Sequence, residues 1–221
     1  MRVGGLYLVE GDYAEACVVG VGRVGERDGE RADGSGDETL ASVGGSDLLL
    51  VETIFDSLNA KAALVAIREV FDEDGLAASG KELPVMISAA VGRGGETLIS
   101  AQTTEAFWNA VKHVKPLSVG LNCSLGPDLM YPFLSELSEK ADVAISCYPN
   151  AGLPNPLSET GFDLGPADMA RFLGDFARAG LVNIAGGCCG NTPEHIAAIA
   201  KALDGMHPRE LAERRQREVA A

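Results

Sequence analysis

Three of the five cysteines, Cys123, Cys188 and Cys189, stand where they could serve a metal ion. Cys188 and Cys189 are adjacent inside "GGCCGNTPEHI", ahead of a helix start. Neighbouring cysteines seldom bond to each other, because the geometry is strained. Cys123 lies in "VGLNCSLGP". All three directly follow apolar runs of strand type. Three thiolates suit a tetrahedral zinc site with its fourth position open. A substrate thiol entering that position would lose its proton and remain a usable nucleophile near neutral pH. The plainer reading of a buried cysteine is a small apolar side chain. Cys17 and Cys147 are read that way, and Cys123 taken alone would be too. The pair in its glycine turn is harder to dismiss, because glycine lets the backbone bend sharply and lets a ligand approach.

Elements of a regular kind must position these residues. "DLLLVET" is a continuous apolar run, the mark of a strand buried on both faces, and "SLNAKAALVAIREVFDE" follows with helical spacing. The same alternation recurs four times: "LPVMISAAV" with "TTEAFWNAVKHV", "LSVGLNCS" with "PDLMYPFLSELSEKA", "DVAISCYPNAG" with "GPADMARFLGDFARAG", and "LVNIAGGCCG" with "TPEHIAAIAKALDGM". Thr192 can cap the last helix, with Pro193 at its first position. Five β–α units in succession predict an α/β fold, either an open doubly wound sheet or a (β/α)8 TIM-type barrel. Polar residues recur at the strand ends: Glu52, then Asn122 with Cys123, then Asn150, then Cys188 and Cys189. In a barrel these ends converge on one face, where active sites are built, so the barrel is the simpler account.

Residues 1–45 differ. Two short strands are expected in "GGLYLVEG" and "EACVVGVG", whereas "GERDGERADGSGDE" has no period and reads as a flexible loop. "GVGRVG" matches the dinucleotide fingerprint, but that loop cannot supply the amphipathic helix the fingerprint needs, so the match is set aside. Residues 46–207 are read as the barrel portion and 208–221 as a charged tail. The three histidines read as ordinary: His113 late in a helix, His195 on exposed helix surface, and His207 in the tail. Gln102 and Thr103 either line the mouth or cap the next helix.

The formal net charge of -14 argues against a nucleic-acid or anionic-membrane surface, since both need a basic patch. "MRVGGLYLVEG" shows no signal peptide, and no apolar run is long enough to span a bilayer. The cytoplasm is the expected compartment, and there cysteines more often bind metal or react than form structural disulfides.

The phrases "LLLVETIFDSLNAKAAL", "VGLNCSLGP", "CYPNAGLPN" and "LVNIAGGCCGNTPEHI" resemble the homocysteine-binding module of cobalamin-dependent methionine synthase, a branch of the homocysteine S-methyltransferase family. "ETIFD" and "NAGLPN" favour that branch. The resemblance spans about residues 46–207 and implies a (β/α)8 barrel with zinc on Cys123, Cys188 and Cys189. It implies that homocysteine is activated as a zinc-bound thiolate and methylated to methionine. The donor would be methylcobalamin on a separate module, or another methyl donor, with cobalamin- and folate-binding modules as partners. Glu52 matches the family's strand-end carboxylate, placed to hold the substrate ammonium; its other reading is a cap on the following helix. Asn150 would either hydrogen-bond substrate or occupy the open zinc position. Asn122 is expected to fix its own loop.

The family's opening strand, with its Asp-Gly-rich turn, has no match. The barrel is therefore expected to be incomplete, with about five C-terminal units. Unpaired strand edges would then invite pairing with another chain. The alternative reading is a non-catalytic remnant that binds zinc or another protein. A different α/β enzyme with a reactive cysteine is a third.

Overall fold

The computed structural model describes residues 48–73, 75–158 and 161–211, and before them the backbone of three strands: β1 (Arg2–Val3), β2 (Leu6–Val9) and β3 (Val18–Gly22). β2 and β3 fall in the two segments expected to hold short strands. The "GERDGERADGSGDE" run, any helix after "GVGRVG", and residues 212–221 lie outside the described residues.

Five β–α units follow. β4 (Leu48–Ile54) leads to α1 (Ser57–Glu73), and β5 (Val85–Ala89) to α2 (Thr104–Val111). β6 (Ser118–Asn122) leads to α3 (Pro127–Lys140), and β7 (Ala144–Tyr148) to α4 (Pro166–Arg178). β8 (Ile184–Gly186) leads to α5 (Pro193–Leu203). α3, α4 and α5 each begin with proline in the first turn, where its missing N–H costs nothing. α2 is capped by Thr103, whose Oγ1 accepts from the Ala106 N–H at 3.1 Å, which decides the Thr103 reading in favour of the cap.

The strand order is β1-β2-β8-β7-β6-β5-β4-β3. β4 to β8 are mutually parallel, as the β–α alternation requires. β2 runs parallel to β8, and β3 runs antiparallel to β4. Among the described residues the sheet has two ends and does not close. This is an incomplete TIM-type barrel with five of its units in sequence.

Both sheet faces are covered, which explains the unbroken apolar runs. Val51, Ile87, Val119, Leu121, Ile145 and Ala185 form a core with helix residues such as Leu64, Phe107, Leu134, Leu173 and Ile199. Leu50, Met86, Tyr148 and Ile184 form a second, smaller cluster, as the strand's alternation requires for its other face. In register, Gly120 lies between Ser88 of β5 and Ser146 of β7. A Cβ at Gly120 would strike the Ser146 backbone and hydroxyl, so a larger residue there would push β6 off β7.

The opposite end of the sheet is fastened by Arg209, which is 4% exposed. Its guanidinium donates to the Ser138 and Ala141 carbonyls at 2.6 Å and to Val143 O at 3.0 Å. These carbonyls lie at and just beyond the end of α3, where a cation is favoured. The Arg209 backbone also bonds Val182 and the Asn183 side chain. Arg209→Ala is expected to cost about 2 to 3 kcal/mol, because buried acceptors lose a charged donor. A lowered urea midpoint at unchanged m-value would show it.

Candidate metal and substrate site

The C-terminal ends of β4, β6, β7 and β8 bring the predicted residues together. Cys123 follows β6 in a tight turn. It and Ser124 both hold left-handed backbone, at φ 59° and 57°. Non-glycine residues seldom adopt this conformation, and where they do the surroundings must hold it. Here the Cys123 N–H donates to Tyr148 O at 3.2 Å and the Asn150 N–H to Leu125 O at 3.0 Å.

The turn after β8 carries the other two thiols. Gly190 supplies a left-handed residue at φ 78°, and at Gly187 a Cβ would run into the Asn191 amide. That amide donates to Pro149 O and Cys188 O, both at 3.1 Å. The Cys188 N–H donates to Pro149 O, and the Ala151 N–H to Cys189 O, each at 2.9 Å. The turn is thus laced to the segment after β7.

The three Sγ atoms lie within 4.8 Å of one another and are partly buried. Cys123 to Cys189 is 3.6 Å, and Cys188 to Cys189 is 4.0 Å. A tetrahedral ion with Zn–S bonds of about 2.3 Å needs sulfur–sulfur edges of about 3.8 Å, so the donor set is close to the required size. Hydrogen bonds from Cys188 and Cys189, in that order, hold the Cys123 thiol well below the usual range. Hydrogen bonding to Cys123 in turn pushes both neighbours up, with burial and the Cys123 charge adding to it. The cluster therefore gives up its first proton readily and resists the next ones until a cation arrives. Such a cluster could hold a metal ion. Cys147 is not among its members: it is fully buried, its Sγ 3.5 Å from Met130 Sδ, and burial raises its pKa.

Glu52 is 5% exposed, and among the described residues its Oε1 has no hydrogen-bond partner. Burial first, and the Cys123 charge second, push its pKa up to about 7. It does not cap α1. Asp56 does, its Oδ1 accepting from the Leu58 N–H at 3.0 Å. Asn150 is also 5% exposed; its Oδ1 accepts from the Cys189 N–H at 3.2 Å, and its side chain helps lower the Cys123 thiol.

Asn122 does more than fix its own loop. Its Oδ1 accepts from Thr53 N–H at 3.1 Å and Ser88 Oγ at 2.7 Å. Its Nδ2 donates to Thr53 Oγ1 at 2.8 Å and reaches Cys188 Sγ at 4.0 Å. Nothing in the sequence marks Thr53 or Ser88, and a left-handed Thr53 carries no signal there. His195 corrects an expectation. It is 1% exposed rather than on the helix surface. Its Nδ1 accepts from the Thr192 N–H at 3.1 Å, which leaves Nε2 to donate to Leu164 O at 3.0 Å. His113 and His207 are exposed.

Residues 30–203 of the 221 match the family model for homocysteine S-methyltransferase. The chain belongs to the homocysteine S-methyltransferase family. Its fold is similar to crystal structures of the homocysteine methyltransferase MmuM from Escherichia coli. The oxidized form aligns at TM-score 0.52 and 20% identity, over 74% of this chain and 48% of that one. The metallated form gives 0.50 and 21%, over 74% and 47%. This member of the family thus spans about half the length of the solved structures it matches. No described helix is long and apolar enough to cross a membrane.

Proposed function

We propose that this chain is the metal-bearing part of a homocysteine S-methyltransferase, with zinc held by Cys123, Cys188 and Cys189. The spacing of the three sulfurs carries the reading, and family membership supports it. When bound, zinc would supply Lewis acidity that lets a thiol in the open position ionise near neutral pH.

The chain's own residues do the rest. Glu52 receives the substrate ammonium, a cation that its unpartnered oxygen suits. Asn150 holds the Cys189 turn and steadies the Cys123 thiolate. The homocysteine thiol gives its proton to solvent. Its sulfur then forms a bond to the methyl carbon, while the donor leaves with the bonding electron pair, yielding methionine. "ETIFD" and "NAGLPN" support the methionine synthase type, with methylcobalamin on a separate module, cobalamin- and folate-binding modules as partners, and a cytoplasmic setting. The reading as a zinc- or protein-binding remnant draws on the sheet that does not close among the described residues.

Titrating homocysteine into the zinc-loaded chain, in buffers of different ionisation heat, separates the two. Saturable binding with release of about one proton from the thiol, and near pH 7 a further fraction from Glu52, is expected, since metal ligation requires the deprotonated thiol and the ammonium requires the carboxylate. No binding would overturn the methyltransferase reading.

A further inference from the structure

Asn122 joins the two ends of the proposed substrate site. On one side it grips Thr53 twice, through Oδ1 from the backbone N–H and through Nδ2 to the hydroxyl. Thr53 sits at φ 55°, a conformation that a β-branched residue does not hold unaided. It is also where the pairing of β4 with β5 shifts register, between Val51 and Ile54. Glu52 immediately precedes it, so the angle at which the carboxylate enters the site depends on that strained residue. On the other side the same Nδ2 reaches Cys188 Sγ at 4.0 Å. Ser88 completes the amide from β5, and Asn122 itself is wholly buried. One rigid side chain therefore spans β4, β5, β6 and the turn after β8.

We infer that Asn122 is a positioning residue that fixes the separation between the ammonium-binding carboxylate and the sulfur-binding corner, and so selects an amino acid thiol of homocysteine's length. The inference rests on the function proposed above. Two anchors at fixed separation reject a ligand one methylene shorter, because that ligand cannot satisfy both. A missing methylene by itself is worth about 10- to 200-fold in discrimination. If Thr53 is released, its backbone can relax to extended geometry and Glu52 swings with it. The sulfur corner keeps its three ligands, and what is lost is the spacing.

The test compares homocysteine and free cysteine binding by calorimetry on the zinc-loaded full chain, for wild type, Asn122→Ser and Thr53→Val. Thr53→Val keeps Glu52, all three thiols and the β-branched bulk that disfavours left-handed backbone, but removes the hydroxyl that Asn122 grips. In both variants homocysteine affinity is expected to fall by about tenfold, the low end of a methylene's worth. Cysteine affinity should hardly change and zinc content should stay at wild type. The selectivity ratio then collapses. If Asn122→Ser fails to fold or to keep zinc, Thr53→Val decides. Unchanged selectivity in the variants, or an equal loss for both ligands, would overturn the inference while leaving the proposed function intact. Failure of the wild type to bind homocysteine would overturn both.

Discussion

Replacing Cys188 with alanine is expected to abolish stoichiometric zinc binding while leaving the chain folded. Cys188 is the most enclosed donor electrostatically: its hydrogen bonds to Cys123 and Cys189, then burial, oppose its ionisation, and only a cation offsets that. Removing it leaves two sulfurs, 3.6 Å apart, and no third protein ligand in the cluster. The loss should exceed the 10- to 100-fold, or roughly that, which a missing outer-sphere partner costs a metal site. Folding should survive, because the turn is held by backbone bonds and by the Asn191 amide rather than by the thiol. Cys147→Ala is the control. That thiol packs against Met130 within the core, so its loss should lower stability and leave zinc content unchanged. Competition with a chromophoric chelator reads both variants.

Glu52→Gln should weaken homocysteine binding by about 1.5 to 3 kcal/mol, the worth of a charge-assisted hydrogen bond. It should also change the pH dependence. Burial, and then the Cys123 charge, push the carboxyl up to about 7 in the ligand-free fold, from an ordinary value near 4.5. It must be ionised to pair with an ammonium, so wild-type affinity should rise as pH climbs through 7. The glutamine variant should lose that component and keep the rise due to ionisation of the substrate thiol. Stability runs the other way. A carboxyl whose folded value is raised contributes stability that is fully present below about pH 4.5 and is lost as pH rises through about 7. The ionised carboxylate therefore burdens the metal-free fold by about 3 kcal/mol at pH 8, and Glu52→Gln should relieve most of it. Urea midpoints at pH 5 and pH 8, with and without the substitution, would show a gap that opens only at the higher pH.

The parts of this fold that could be read from the sequence are those fixed by short-range pattern. Strands buried on both faces appear as apolar runs, so β4 to β8 and their helices are found, and α1 occupies the same seventeen residues as the periodic stretch "SLNAKAALVAIREVFDE". The three thiols were legible because each follows such a strand, and parallel strand ends meet on one face. What escaped depends on contacts far apart in the chain. Asn122 and Thr53 are 69 residues apart, and neither side chain announces the bond. The left-handed backbone at Thr53, Cys123 and Ser124 falls on residue types that have no preference for that conformation. His195 looked exposed because its helix opens with polar residues, yet Leu164, 31 residues earlier, provides the acceptor that buries it. Arg209 belongs to a charged stretch, and only the end of α3 explains its burial.

The central claim is that Cys123, Cys188 and Cys189 form one zinc site with a position left for a substrate sulfur. Zinc analysis of the full chain combined with X-ray absorption at the zinc edge tests it most directly. The account predicts one zinc per chain with three sulfur neighbours, rising to four when homocysteine is added. A chain that takes up no stoichiometric zinc, or one whose zinc shows no change in sulfur count with homocysteine, would contradict it.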